Sequence, residues 1–144
     1  VIAIGCDYRV MAKGNYKIGL NEIPVGLVLP RGLFEMYSFW IGTRKAYQYA
    51  MEGKLFSPEH ALEIGLVDEV VDADKVLETA EAKLKHYLKF EQSSWRISKK
   101  QLKHDQLLAI STISDFEMKT FIQQWWSEPV RTIIGQFVEN LKKK

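Results

Sequence analysis

The sequence predicts an α/β fold in which helices dominate and the C-terminal stretch is entirely helical. Three observations predict it. A short run with β-branched residues over 66–71 follows Gly65, as strands follow turn residues, and a second short strand is expected near 8–12, ahead of the Lys13-Gly14-Asn15 turn. From Asp74 onward, Val76, Leu77, Ala80, Leu84, Tyr87 and Leu88 recur at helical spacing. After Ser127-Glu128-Pro129, a last stripe of Val130, Ile133, Ile134, Phe137, Val138 and Leu141 marks one face of a further helix.

Taken in order, Val1-Ile2-Ala3-Ile4 opens an apolar run broken by Gly5, Asp7 and Arg9, which reads as a helix followed by the strand over 8–12. Lys13-Gly14-Asn15 is turn chemistry. Residues 16–30 hold Gly19, Pro24, Gly26 and Pro30, which forbid a long helix, so a short strand is expected to lead into an ordered loop. A helix is expected over 31–41, stopped by Gly42. A second, capped by Thr43, should end at Gly53. Ser57-Pro58-Glu59 combines a capping hydroxyl, a proline at the first helical position and a first-turn acid. Gly65 ends that helix before the strand over 66–71. A polar break at 91–94 then precedes helices over 97–110 and 112–126.

Hydrophobic residues make up 47% and charged residues 26% of the 144 positions, so the chain can bury one core and is not of disordered composition. No run approaches the roughly 20 apolar residues that span a bilayer. The net charge is +2, with lysines interleaved among acids, which leaves no nucleic-acid footprint. One cysteine excludes an intrachain disulfide and points to a reducing compartment. No targeting peptide is visible. Because the chain opens on Val1 in mid-hydrophobic run, it is expected to be a piece of a longer polypeptide. Lys142, Lys143 and Lys144 read as a solvated helix end that suits the negative pole of the dipole.

Glu22 is the residue that stands out chemically. It is the only acid between Asp7 and Glu35 and lies among Ile18, Leu20, Ile23, Val25, Leu27 and Val28. Such surroundings are expected to desolvate the carboxylate and raise its pKa, which suits proton transfer beside a carbonyl. A capping or surface glutamate in a Pro/Gly-rich loop fits the same pattern. His60, His86 and His104 fall on separate predicted helices without metal-ligand spacing and read as surface residues. Cys6 reads as a small core residue. Ser57 is explained by capping.

Read together, Cys6-Asp7-Tyr8-Arg9, Ile18-Gly19-Leu20-Asn21-Glu22 and Gly26-Leu27-Val28-Leu29-Pro30 resemble the central signature of the crotonase superfamily. The continuous segment from Ala50 to Val71, with Ser57-Pro58-Glu59 and Gly65-Leu66-Val67-Asp68 inside it, resembles that superfamily's other hallmark. The resemblance covers residues 1–90 in order and the tail by helical character only. It implies the C-terminal part of a crotonase-type ββα spiral core over 1–92. Residues 93–144 would then be a helical region that covers the acyl pocket and forms homotrimers.

Within the superfamily, the wording is similar to the mitochondrial Δ3,Δ2-enoyl-CoA isomerases. The resemblance implies transfer of a double bond from the 3 to the 2 position of an acyl-CoA in oxidation of unsaturated fatty acids. Glu22 would be the catalytic base and Asn21 would touch the thioester region. It implies no cofactor, since CoA is part of the substrate, and no metal, nucleic acid or membrane span. It places the protein in the mitochondrial matrix, with the peroxisome as alternative. Trp125 or Trp126 could line the acyl pocket, although neighbours on a helix point about 100° apart. Arg31, Arg44 and Lys45 are candidate contacts for CoA phosphates, or simply a solvated face.

Hydratases of the superfamily use a second glutamate five residues before the cysteine. Here that position is Val1, which favours isomerase over hydratase. The donors for the thioester oxygen are implied to precede Val1. Each such donor is worth roughly 10²–10³ in rate, so the isolated piece is expected to be inactive. The alternatives are another crotonase-fold acyl-CoA enzyme, hydratase or thioesterase, and a catalytically silent assembly subunit.

Overall fold

The computed structural model describes residues 1–142, apart from the side chain at position 141. Of the sequence expectations, the Leu141 contribution to the last stripe and the helix end at Lys143 and Lys144 lie outside the described residues.

A short helix, α1 (Ile2–Gly5), leads into β1 (Val10–Ala12). This strand pairs in parallel with β2 (Glu69–Val71), Val10 opposite Glu69 and Ala12 opposite Val71. Parallel strands need a long crossover. Here it is built of α2 (Arg31–Ile41), α3 (Thr43–Glu52) and α4 (Pro58–Glu63). Their apolar faces enclose the core of Ile4, Leu20, Tyr37, Ile41, Ala46, Phe56, Ala61, Leu66 and Val67. After β2 come α5 (Val76–Tyr87), α6 (Gln92–Leu102), α7 (His104–Ser111), α8 (Asp115–Trp126) and α9 (Glu128–Lys142).

Several boundaries follow from local chemistry. Gly42, Gly53 and Gly65 all have positive φ, at 80°, 59° and 78°, and each sits where a helix stops. Ser57 caps α4 by accepting from the His60 N–H at 3.3 Å. Elsewhere the structure departs from expectation. Gly42, not Thr43, is the N-cap of α3, because its extended ψ at φ 80° turns the chain and leaves Thr43 already helical. The break expected at 91–94 lies earlier, between Tyr87 and Gln92, because the Glu91 carboxylate accepts from the N–H groups of Ser93 and Ser94 and starts α6 there. Cys6 is exposed, not core, since it caps α1 in extended conformation with its thiol turned back to the Ile2 carbonyl.

Two charge clusters hold the elements together. The Arg9 guanidinium is buried, lies 3.5 Å from the centroid of the Trp40 ring and has Nη2 2.8 Å from Asp68 Oδ2. That last contact is an ion pair without hydrogen-bond geometry, and Nη2 and Nε make no hydrogen bond. The Asp68 carboxylate is instead hydrogen-bonded to the Arg9 backbone N–H at 2.8 Å, just ahead of the strand pairing. Farther out, Asp7 accepts from Lys99 and, at 2.9 Å, from Lys103, which ties α6 and its C-terminal end to the chain between α1 and β1. Burial pushes the Asp7 carboxyl upward, but the hydrogen bonds and charges of the two lysines outweigh it and hold it below the ordinary value.

Two outcomes follow from these clusters. Asp68→Ala strands the Arg9 charge and should cost about 3 kcal/mol in urea unfolding, whereas a loss below about 1 kcal/mol would mean that Trp40 alone supports the guanidinium. Because Asp7 has a lowered folded pKa, its contribution is fully present above the unfolded value near 3.8 and fades as pH falls through the folded one. Asp7→Asn should therefore flatten the acid limb of a stability–pH curve below about pH 4, and an unaltered limb would contradict the assignment.

Candidate functional site

The site is built where two chain segments meet. Ile18 and Phe56 form an isolated antiparallel bridge, with N–O distances of 3.1 and 2.9 Å. The next residue, Gly19, lies so close to the 54–55 backbone that a β-carbon there would sit 2.3 Å from the Lys54 carbonyl oxygen. Leu20 drops into the core, and Asn21 and Glu22 follow half-buried. Pro24 then forces a 3-10 turn over Ile23–Val25, closed by Gly26 at φ 84°. The Glu22 carbonyl accepts from both the Val25 and Leu27 N–H groups, at 3.2 and 2.9 Å, which fixes the backbone on either side of the carboxylate.

The end of α3 supports this loop. Gly53 has φ 59°, and a β-carbon on it would lie 2.2 Å from Pro24 Cγ and 3.4 Å from Asn21 Cα. Only a residue without a side chain lets the loop rest there. From the tail, Gln124 of α8 accepts the Val28 N–H at 2.9 Å. Val130 of α9 is buried against Gly26, whose hypothetical β-carbon would come 2.9 Å from Val130 Cγ2.

Within this frame Glu22 Oε2 is out of solvent and has no hydrogen-bond partner. A buried oxygen whose lone pairs are unengaged is available to take a proton from a bound molecule. Starting at the adjacent Ile23, a hollow of about 550 Å3 runs past Leu27, Val28, Leu29 and Phe34 to Tyr47, Met51 and Gln124. The arrangement is a buried carboxylate in a loop whose following residues line an apolar space. It suits proton transfer on an aliphatic substrate.

Residues 1–144 match the sequence profile described as enoyl-CoA hydratase/isomerase. The chain belongs to the enoyl-CoA hydratase/isomerase family. It is 32% identical over 145 residues to enoyl-CoA delta isomerase 1, mitochondrial, of Mus musculus, covering 100% of this chain and 50% of that protein. It is 26% identical over 141 residues to the short-chain-enoyl-CoA hydratase of Clostridium acetobutylicum, covering 98% of this chain and 54% of that protein. The crystal structure of human mitochondrial delta3-delta2-enoyl-CoA isomerase superposes with a TM-score of 0.86 at 28% identity, over 99% of this chain and 55% of that one. The chain thus spans about half the length of the relatives it matches. The crotonase fold expected from the motifs is the fold observed.

The other candidates in this family member are dispersed. Asn21 adjoins Glu22 in the same loop. Arg31 is exposed at the start of α2, 3.6 Å from Glu35, and Arg44 and Lys45 are exposed at the start of α3. Roughly 16 Å of α2 separates these two positions, so they do not converge on one phosphate. Trp126 is exposed and Trp125 partly so, and neither lines the hollow. His60 packs edge-on against Phe56, while His86 and His104 are exposed. Among the described residues no cluster of His, Cys, Asp and Glu could hold a metal ion, and no helix is long and apolar enough to cross a membrane.

Sequence reasoning missed three residues that shape the site: Gly53, Gln124 and Lys54. The Lys54 ammonium lies 5.0 Å from the Tyr49 ring centroid and 5.7 Å from that of Phe56. Gly53 was visible only as a helix stop, and nothing in the local pattern links Gln124 to Val28.

Gly53→Ala combines a left-handed backbone with a β-carbon inside the Pro24 ring. It should lower stability by about 2 kcal/mol and loosen the 21–28 loop. Thermal melting with limited proteolysis would check this. An unchanged melting temperature and cleavage pattern would rule out the support role.

Proposed function

We propose that this protein is an acyl-CoA enzyme that moves the double bond of a 3-enoyl-CoA to the 2 position. Glu22 removes a proton from C2 and the same carboxyl group returns it to C4. The observation that carries this reading is the buried, unpartnered Glu22 Oε2, in a loop whose next residue, Ile23, lines an apolar hollow. One base serving both carbons is all the reaction asks of a side chain. Asn21, next along the loop, contacts the thioester region. The dienolate between the two steps needs hydrogen-bond donors at its oxygen. By the superfamily resemblance these are backbone N–H groups preceding Val1.

Further parts of the reading rest on likeness and on exposed apolar surface. The isomerases among the relatives carry "mitochondrial" in their names, which supports a mitochondrial location for this protein in oxidation of unsaturated fatty acids. Phe116, Trp126 and Phe137 are 77%, 68% and 51% exposed on α8 and α9, which supports assembly of the helical region 93–144 into a homotrimer on the core of 1–92. The reaction uses no cofactor beyond the CoA of its substrate.

The hydratase likeness keeps a second reading in view, in which water adds across a 2-enoyl-CoA. That reaction uses two carboxyl groups, and Val1 stands where the resemblance puts the second.

Glu22→Gln in the full-length protein should lower kcat for a 3-enoyl-CoA by about 10²–10⁴, because the amide cannot take the proton. Unchanged turnover would remove Glu22 from the mechanism. A wild-type protein that hydrates 2-enoyl-CoA faster than it isomerises 3-enoyl-CoA would favour the hydratase reading, and one that assembles but turns over no acyl-CoA would favour a silent subunit.

A further inference from the structure

Two consecutive backbone donors beyond Glu22 point to different partners. The Leu27 N–H donates to the Glu22 carbonyl at 2.9 Å and closes the turn that carries the carboxylate. The Val28 N–H leaves the loop and donates to the side-chain oxygen of Gln124 on α8, also at 2.9 Å. A single residue, Leu27, thus separates the bond that shapes the turn from the bond that ties the loop to the helical tail. Leu27 is itself buried, so a displacement at Val28 is passed to the turn rather than absorbed.

The turn is held between two anchors. Upstream stand the Ile18–Phe56 bridge and the close approach of Gly19 to the Lys54 carbonyl. Downstream, before α2 begins at Arg31, the anchor is the Gln124 side chain.

Gln124 projects from a helix fixed at both ends. Its own carbonyl accepts from the N–H and the hydroxyl of Ser127, at 3.0 and 2.8 Å, where α8 stops. The first turn of α8 is closed by the reciprocal Ser114–Glu117 cap. Just past Ser127, buried Val130 packs on Gly26, so the tail meets the loop at two points on either side of Leu27. Val28 is half-exposed, and without Gln124 its N–H would turn to water and free this side of the loop.

We propose that Gln124 is a positioning residue for Glu22. By holding the Val28 N–H, its amide oxygen sets the direction of the carboxylate and with it the rate of proton transfer. The proposal rests on the reading of Glu22 as the base and adds the tail residue that aims it. Gln124 acts only through the loop. Misplacing a reacting group by about 1 Å can cost up to about 10²-fold in rate, so the effect belongs in kcat more than in KM.

The test uses the full-length protein with a 3-enoyl-CoA. Gln124→Met keeps the side-chain length and removes the acceptor. It should lower kcat about fivefold or more, while KM and the melting temperature stay near wild type. Gln124→Glu keeps an acceptor oxygen at the same reach and should hold kcat within about twofold of wild type. Unchanged kcat in Gln124→Met, or equal losses in both variants, would overturn the proposal. Hydrogen exchange at the Val28 amide supplies a readout without turnover. It should be slow in wild type and Gln124→Glu, and about tenfold or more faster in Gln124→Met. Equal exchange in all three proteins would overturn the proposal as well. A wild type that turns over no acyl-CoA removes the reading of Glu22 as the base and this proposal with it. An active wild type whose kcat is indifferent to Gln124→Met removes the positioning role alone.

Discussion

The carboxylate at the centre of this structure is held by backbone approaching backbone. Gly19 meets the Lys54 carbonyl and Gly53 meets the Pro24 ring at distances that no β-carbon could share. These contacts join the Asn21–Glu22 loop to the end of α3, so two motifs more than thirty residues apart act as one rigid piece. A loop carrying Pro24 and Gly26 would otherwise have several conformations of similar energy. Seated on α3 and bridged to Phe56 it has one, and Glu22 inherits a defined direction from it. The order of causation therefore runs from helix termination to the placement of Glu22, because the glycine that stops α3 is the same residue that makes room for its loop.

A second tier of contacts fixes that piece within the fold. Arg9 lies between the Trp40 face and Asp68, joining β1, α2 and the approach to β2. Burial disfavours the guanidinium charge and Asp68 restores part of it, so the arrangement contributes more to specifying which elements meet than to net stability. Asp7 plays a different part at the surface. Its two lysines belong to α6 and the residue after it, so the beginning of the helical tail is fastened to the segment between α1 and β1. The far end of the tail is fastened separately, through Gln124 and Val130, to the Glu22 loop. Between these, α7 packs closely on α2, where a β-carbon on Gly32 would lie 3.0 Å from Ile110 Cγ1, and of these contacts the one through Gln124 bears on the hollow.

What could be read from the sequence was whatever short-range chemistry decides. The limits of α2, the positive-φ stops at Gly42, Gly53 and Gly65, and the Ser57 cap all follow from residues within a turn of the boundary. Glu22 stood out for the same reason, as a solitary acid in an apolar neighbourhood. Errors arose where one local signal had two readings. The polar stretch 91–94 looked like an interruption, yet an acid ahead of two serines is also a way to begin a helix. Cys6 looked like core because its type is commonly buried, but a four-residue helix offers too little surface to enclose it. The remaining features are long-range. The Gln124–Val28 bond and the Asp7–Lys103 pair each span 96 residues, and no periodicity carries that information.

The charges around Glu22 bear on which reaction the site favours. Adding water to a double bond requires one group to activate the water and another to manage the proton, whereas transposing the bond requires one base that reaches two carbons. Two acids close to the loop are engaged elsewhere. Glu52, beside the supporting Gly53, is exposed and accepts from Gln48 at 3.2 Å. Glu117, which lines a cavity with Val28, Leu29 and Pro30, accepts from the Ser114 N–H and hydroxyl, both at 2.8 Å. With Val1 apolar as well, Glu22 is the carboxylate in this loop whose buried oxygen is left without a partner, and one such base is what transposition needs.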